Sequence, residues 1–237
     1  MLYIIGIGLN IEDLKIKAIK ILKEVDEIFI DTYTSCFPFK IEEYKNFLKK
    51  ILKKVKISEA SRELLEEASS KFLKNAVKKK VALLVYGDPL IATTHISLIN
   101  EAKKLKVRTK VIHNISILNV ITDSGLSAYK FGKIASMPRW QENYKPTSFY
   151  EVIKQNLSID AHTLLLIDST LSFEEAIKQL IEVDKDLLLK EIFVCSNLGT
   201  EKSQIKKINL KEKRAKIRVG KPFCFVIPSK ISFYEKI

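Results

Sequence analysis

Short apolar runs that end at a glycine or at a polar loop recur along this chain and alternate with helical patterns. Residues 2–5 run without interruption into Gly6, and residues 81–86 run into Gly87-Asp88-Pro89. Uninterrupted apolar runs of this length predict strands that are buried on both faces, as in parallel sheets. Because parallel strands are usually connected by a helix, the alternation predicts an α/β fold with helices on both faces of each sheet.

Both halves of the 237-residue chain show this alternation, and no Gly/Ser-rich linker separates them. Strands are predicted at residues 2–5, 28–30, 81–86, 107–112, 133–137, 163–167, 192–195 and 223–227. Helices are predicted at residues 14–25, 44–52, 64–76, 93–105, 148–156 and 173–183. We therefore predict two closely packed α/β/α domains, residues 1–112 and residues 113–237, with a cofactor cleft between them.

Composition narrows the class of protein. Hydrophobic residues make up 46% of the chain, a fraction that excludes disorder. No apolar run approaches the ~18 residues of a transmembrane helix, and the first residues lack the basic segment of a secretory signal. The three cysteines form no CxxC motif, and the three histidines stand without a Cys or His neighbour at ligand spacing. We therefore predict a cytoplasmic protein with no membrane segment and no bound metal.

The formal net charge of +13 raises the hypothesis of a nucleic-acid partner. The basic residues are concentrated in residues 45–56, 71–80 and 201–221. They are interleaved mostly with Leu, Ile and Val and not with the aromatic residues on which bases stack. We therefore predict surface lysines that keep the protein in solution and can steer a protein partner, and we do not predict direct nucleic-acid binding.

The loops after the strands are the places to look for a ligand, because open α/β sheets bind ligands beyond the carboxyl ends of their strands. Gly6-Ile7-Gly8-Leu9-Asn10 begins like a dinucleotide fingerprint, but Ile11 stands where the third glycine is required. The loop that begins at Gly87 is not a phosphate-binding loop, since Ala92 and Thr93 replace the glycine and lysine of that motif. Taken alone, each loop is explained as a turn between a strand and a helix.

Together, however, the loops resemble one family. Gly87-Asp88-Pro89-Leu90-Ile91-Ala92-Thr93-Thr94-His95 resembles the signature segment of diphthine synthases, which are S-adenosylmethionine-dependent methyltransferases of the tetrapyrrole-methylase-like fold. Further segments match in the family's order: residues 2–9, 33–35, 111–117, 125–126, 129–132, 146–150 and 162–168. Leu9-Asn10 separates this chain from porphyrin-precursor methylases, which usually carry Gly-Asp at that point.

The resemblance implies the transfer of methyl groups from S-adenosyl-L-methionine to an amino group, with S-adenosyl-L-homocysteine as product. The amino group belongs to the 3-amino-3-carboxypropyl-histidine of translation elongation factor 2, so the step is part of diphthamide biosynthesis. The family is also homodimeric. Displacement by a neutral amine needs alignment and shielding from water, without a metal or a covalent enzyme intermediate. Two alternatives stay open: a methyltransferase of the same fold that acts on a small molecule or RNA, and a non-enzymatic basic RNA-binding protein.

The resemblance also implies which residues contact the cofactor. By motif position these are Leu9, Asp88, Ile91, Ser116, Ile117, Ile167, Leu198 and Phe223. Asp88 is the one charged group among them. The match thins beyond residue 168, where Phe223 stands at a position at which the family commonly has a histidine. Neither the residues nor the resemblance identifies the group that deprotonates the amine.

Overall fold

The computed structural model describes residues 1–52, 55–210 and 218–235. The chain divides into two compact units, Met1–Asn119 and Val120–Ile237. Each unit contains a five-stranded sheet. Every strand predicted from an apolar run is confirmed to within two residues at either end.

The sheet of the first unit is fully parallel. Its strands are β1 (Leu2–Gly6), β2 (Glu27–Asp31), β3 (Lys56–Ala60), β4 (Val81–Val85) and β5 (Thr109–Ile112), in the order β3-β2-β4-β1-β5. The central strands β1 and β4 are buried at every position, as their continuous apolar sequences predict. The sequence pattern missed β3, because this edge strand carries exposed Lys56 and Glu59 and only one large apolar residue, Ile57.

Helices cover both faces of this sheet. They are α1 (Ile16–Leu22), α2 (Ile41–Ile51), α3 (Ser69–Lys78) and α4 (His95–Lys104). A single turn, α5 (Ile117–Val120), comes after β5. The helix predicted at residues 14–25 is shorter than expected and follows a separate 3-10 turn, Ile11–Asp13. The α2 helix buries Tyr44 and Leu48, whereas its last two lysines, Lys49 and Lys50, are exposed.

The sheet of the second unit is mixed. Its strands are β6 (Ala135–Met137), β7 (Thr163–Ile167), β8 (Glu191–Ser196), β9 (Gln204–Asn209) and β10 (Phe223–Ile227), in the order β6-β7-β10-β8-β9. Only β6 and β7 pair in parallel, whereas β10 is antiparallel to β7 and β8, and β8 is antiparallel to β9. The expectation of a second parallel sheet was therefore wrong. Residues 197–203 join β8 to β9 without a helix, which an antiparallel pair permits.

Two helices of the second unit match their predicted positions closely: α6 (Ser148–Ser158) and α7 (Phe173–Val183). Ser172 caps α7, since its hydroxyl accepts from Glu175 N at 3.1 Å while the Glu175 carboxylate accepts from Ser172 N at 2.8 Å. The strand β9 was missed because its sequence, Gln-Ile-Lys-Lys-Ile-Asn, lies in the basic segment 201–221. Residues 211–217 of that segment lie outside the described residues.

A buried hydrogen bond between a histidine and a glutamate holds the last described residues of the second unit. His162 Nε2 lies 2.8 Å from Glu235 Oε1, and His162 Nδ1 accepts from Ser229 N at 2.9 Å. The Glu235 carboxylate also accepts from Ser127 N and Ser232 N at 2.8 and 2.7 Å. Burial alone would raise the pKa of Glu235, but these hydrogen bonds outweigh it and lower that pKa to about 2.

Within the described ranges, no helix is both long enough and apolar enough to cross a membrane. The same ranges contain no group of three or more His, Cys, Asp or Glu side chains placed to hold a metal ion.

Candidate functional site

Two glycine-containing loops meet at the carboxyl edge of the first sheet. The loop after β1 and the loop after β4 bridge each other, with Gly8 N donating to Gly87 O at 3.2 Å and Gly87 N donating to Gly8 O at 2.9 Å. Both glycines have positive φ, +79° and +72°, which other residues rarely adopt. At Gly6 the reason is space, because a Cβ there would lie 2.5 Å from Gly87 O. The glycines of these loops therefore permit their close approach.

The loop after β1 is fixed by the side chain of Asp13. Its Oδ2 accepts from both Leu9 N and Asn10 N at 2.8 Å. The Tyr86 hydroxyl donates to Leu9 O at 3.3 Å, which ties the same loop to the end of β4. Leu9, a predicted cofactor contact, is consequently held in place by its backbone, and its side chain is buried.

Asp88 connects the loop after β4 to the loop after β5. Its Oδ1 accepts from Leu90 N at 3.0 Å, a turn within its own loop. Its Oδ2 accepts from Asn114 N at 3.0 Å and lies 2.9 Å from His113 Nδ1. Asp88 is buried, so these bonds supply the partners that its carboxylate needs away from water.

Asn114 is a residue of this edge that the sequence analysis did not select. Its Nδ2 donates to Gly6 O at 2.9 Å and to Asp13 O at 3.0 Å, while its Oδ1 accepts from Ile115 N at 2.8 Å. It thus joins the loop after β5 to the loop after β1. The signal in the sequence was its position as the second residue after β5, since an amide side chain just beyond a strand can satisfy backbone groups of neighbouring loops.

The remaining predicted contacts of the first unit lie in the same loops. Ser116 is buried; its N donates to Asn119 Oδ1 at 2.9 Å and its hydroxyl accepts from Leu118 N at 3.3 Å, at the start of α5. Ile117 begins α5 and is half-buried, and Ile91 is half-buried with its N donating to Asp88 O at 3.3 Å. The structure therefore gathers the predicted cofactor contacts of the first unit at one edge of one sheet.

A second aspartate–histidine contact lies beside these loops. Asp31 ends β2 and its carboxylate accepts from Tyr33 N at 3.0 Å and Thr34 N at 3.2 Å. Its Oδ2 lies 3.2 Å from His95 Nε2, within ion-pair distance, although Nε2 makes no hydrogen bond to a described residue. His95 Nδ1 donates to Pro89 O at 3.3 Å. His95 therefore links Asp31 to the loop that carries Asp88.

Further polar side chains form hydrogen bonds next to the Asp31–His95 contact. The Tyr33 hydroxyl donates to Glu66 Oε1 at 2.5 Å and lies 3.1 Å from the Thr94 hydroxyl, and Arg62 Nε donates to Glu66 Oε2 at 2.9 Å. Burial raises the pKa of Tyr33 to about 12, and the bond to Glu66 adds to the rise. Tyr33 consequently keeps its proton at neutral pH and acts as a hydrogen-bond donor.

The three predicted contacts of the second unit also share one edge of their sheet. Ile167 ends β7, Leu198 follows β8, and Phe223 begins β10, which runs antiparallel to both. Asn197 N donates to Pro222 O at 2.9 Å and so ties the loop after β8 to the start of β10. Leu198 is buried and Phe223 is half-buried. The Phe223 ring packs against Phe173, with ring centres 6.2 Å apart.

Comparison with known proteins shows the family of the chain. A family model for Tetrapyrrole (Corrin/Porphyrin) Methylases matches residues 1–214. The chain therefore belongs to the tetrapyrrole methylase family, whose fold it has. Within that family it is similar to diphthine synthases: it is 35% identical to the diphthine synthase of Archaeoglobus fulgidus over 94% of this chain and 86% of the relative.

Other relatives carry related names, and a solved structure agrees in fold. The diphthine methyl ester synthase of Schizosaccharomyces pombe is 40% identical over 71% of this chain, but the match spans only 58% of that relative's length. The bovine diphthine methyl ester synthase is 37% identical over 77% of this chain and 62% of its own length. A crystal structure of a diphthine synthase superposes with a TM-score of 0.87 at 32% identity, covering 99% of this chain and 93% of the other.

Proposed function

We propose that this protein transfers methyl groups from S-adenosyl-L-methionine to the amino group of the 3-amino-3-carboxypropyl-histidine of translation elongation factor 2, a step of diphthamide biosynthesis. The observation that carries the proposal is the edge of the first sheet, where the three loops that resemble diphthine synthases interlock through Asp88 and Asn114. The similarity to the Archaeoglobus fulgidus diphthine synthase over 94% of this chain supports it.

The residues of this edge fit S-adenosyl-L-methionine by their chemistry. The cofactor carries a sulfonium and an ammonium, and Asp88 supplies a carboxylate on the loop after β4. Half-buried Ile91 and Ile117 offer apolar surface, and the backbone groups of the glycine loops offer donors and acceptors. In the second unit, Ile167, Leu198 and Phe223 are the proposed contacts. When bound, the cofactor supplies an activated methyl group.

The contribution of the chain is binding and alignment. Asp13, Asp88 and Asn114 hold the loops by hydrogen bonds, and loops that are held in this way reduce the ordering cost of binding. Holding donor and amine in line and away from water supplies several kcal/mol of the barrier in reactions of this kind. The amine must be neutral when it reacts, so the site also needs a route for its proton.

We propose elongation factor 2 as the protein substrate, a homodimer as the assembly and the cytoplasm as the location. These proposals rest on the resemblance to diphthine synthases. The exposed lysines of α3, Lys71, Lys74 and Lys78, are consistent with the steering of a protein partner.

The test is methyl transfer from radiolabelled S-adenosyl-L-methionine to elongation factor 2 that carries the unmethylated 3-amino-3-carboxypropyl arm. We expect label on this factor and none on factor that lacks the arm, which serves as the matched control. Parallel reactions with bulk RNA and with tetrapyrrole precursors test the alternative substrates. Transfer to either of these, without transfer to the factor, would overturn the proposal.

A further inference from the structure

The Asp88–His113 pair is built like a catalytic base with its orienting carboxylate. His113 directly follows β5, and its Nδ1 lies 2.9 Å from Asp88 Oδ2. The Asp88 side chain is only 7% exposed, whereas the His113 side chain is 67% exposed. One end of the imidazole is therefore fixed by a buried carboxylate, and the rest of the ring faces solvent.

The hydrogen bonds around Asp88 assign the tautomer of this histidine. Asp88 already accepts from Leu90 N and Asn114 N, and a carboxylate only accepts. Nδ1 therefore carries the hydrogen of the Asp88–His113 bond, which leaves the lone pair on Nε2. Within residues 1–52, 55–210 and 218–235, no side chain or backbone group hydrogen-bonds to Nε2. The lone pair is available to a molecule that approaches from solvent.

We propose that His113 is the base that deprotonates the substrate ammonium and that Asp88 positions it. This inference rests on the proposed function. In the step, an N–H bond of the ammonium breaks and its electron pair stays on the nitrogen, while the proton bonds to Nε2. The resulting imidazolium keeps its Nδ1 hydrogen bond to Asp88 and releases the proton to water. The neutral amine is then the nucleophile.

The charged groups around His113 allow this cycle. Asp88 Oδ2 lies 2.9 Å from Nδ1, and this hydrogen bond can persist in either protonation state of the ring because Nδ1 carries a hydrogen in both. Lys15 Nζ donates to the His113 carbonyl oxygen at 3.0 Å. Asp13, on the neighbouring loop, is engaged by Leu9 N and Asn10 N. One carboxylate thus contacts the ring directly, while the nearby lysine is bound to the backbone.

The other two histidines are unsuited to the role. His95 is buried, with Nδ1 bonded to Pro89 O and Nε2 facing Asp31. His162 is also buried, with both ring nitrogens engaged by Ser229 and Glu235. Neither ring can meet a substrate in this structure, so exposure and orientation select His113.

The test measures methyl transfer to the arm-bearing elongation factor at saturating substrate concentrations. It compares two variants of His113 with one control variant, His95→Ala. His113→Ala removes the base, and His113→Asn replaces it with an amide that can still donate to Asp88. We expect kcat of both to fall about 100-fold or more at pH 7. We expect the dissociation constant of S-adenosyl-L-homocysteine, measured by calorimetry, to stay within about twofold, since a base contributes to reaction and not to cofactor binding.

Two further measurements separate a base from a structural residue. Added imidazole should restore activity to His113→Ala, and raising the pH toward the pKa of the free amine should narrow its deficit. His95→Ala is the matched control, and added imidazole should not raise the activity of that variant. An unchanged kcat in His113→Ala, recovery in His113→Asn, or a loss explained wholly by cofactor affinity would each overturn the assignment. Absence of transfer by the wild type would overturn the proposed function, and this assignment with it.

Discussion

Asp31 and Asp88 lie at the same edge of one sheet, and each approaches a histidine. Both carboxylates accept two backbone N–H groups. The histidine beside Asp31 is 2% exposed, whereas the one beside Asp88 is 67% exposed. The two aspartates are held in similar ways, but their histidines differ in what they can do. The buried His95 ring can only stabilise the fold, whereas the exposed His113 ring is accessible for proton exchange with a molecule from solvent.

The two aspartates also differ in what they connect. Asp31 bonds residues of its own loop, Tyr33 and Thr34, so it shapes one turn. Asp88 bonds Asn114 and His113, which belong to another loop. The hydrogen bonds of Asp31 are local, although its carboxylate also lies 3.2 Å from His95 Nε2, whereas the hydrogen bonds of Asp88 join two loops. A substitution at each position should therefore have a different effect.

Asp31→Ala should have the largest effect on stability. The change leaves Tyr33 N and Thr34 N, and the Thr34 hydroxyl that bonds the same carboxylate, without their acceptor in a buried place. Loss of a buried, fully bonded carboxylate costs about 3–5 kcal/mol. We expect the free energy of unfolding in urea to fall by that amount. A loss below about 1 kcal/mol would show that water replaces the carboxylate easily and that this region is open.

Gly6→Ala should disturb the loop of Asp88 and the loop after β5 at once. The new Cβ would lie 2.5 Å from Gly87 O, 2.9 Å from Pro89 Cδ and 3.0 Å from Asn114 Cβ. Forced separation of packed groups costs about 1–3 kcal/mol. We expect a loss of stability in that range together with at least about tenfold weaker binding of S-adenosyl-L-homocysteine. Binding that survives unchanged would show that the loops tolerate separation.

The local part of this comparison is predictable from the sequence. The apolar runs identify the strands, and the few glycines mark the turns that follow them. An aspartate after a strand is expected to bond the backbone two residues ahead, as Asp88 bonds Leu90. The resemblance to diphthine synthases pointed to the loops in which the candidate site residues lie.

The rest depends on contacts that periodicity does not encode. The bond between Asp88 and His113 requires β4 and β5 to flank β1, and strand order is not visible in a hydrophobic pattern. The same limit explains the second sheet, where the patterns located β7, β8 and β10 but not their directions. Two strands with interrupted apolar sequences, β3 and β9, lie at sheet edges and gave too little signal.

Asp88→Ala should weaken cofactor binding more than Asp31→Ala does, when binding is measured on the folded fraction of each variant. The change removes the charge that we propose as a cofactor contact, and it also frees the loop after β5 from the loop after β4. We expect the dissociation constant of S-adenosyl-L-methionine to rise about tenfold or more, equivalent to about 1.4 kcal/mol. Asp186→Ala, which removes an exposed carboxylate, is the matched control and should bind normally. An unchanged affinity in Asp88→Ala would remove Asp88 from the cofactor site.

The Glu235–His162 pair extends the comparison to the second unit, since its ring is enclosed like that of His95. Glu235 has a folded-state pKa of about 2, below the value of about 4.3 for a free glutamate. Its contribution to stability is therefore complete above about pH 4.3 and is lost as the pH falls toward 2. Thermal unfolding between pH 5 and pH 2 should show a steeper decline for the wild type than for Glu235→Gln. Parallel declines would assign acid sensitivity to other groups.

His113→Ala should have the smallest effect on folding, although it is the variant expected to lose most activity. The ring is largely exposed and its removal leaves Asp88 with two backbone donors, Leu90 N and Asn114 N. One lost side-chain hydrogen bond costs about 1 kcal/mol. His95→Ala, which empties a buried position, should cost more, about 2–4 kcal/mol. Urea unfolding of the two variants side by side checks this order, and equal losses would mean that His113 braces the fold as His95 does.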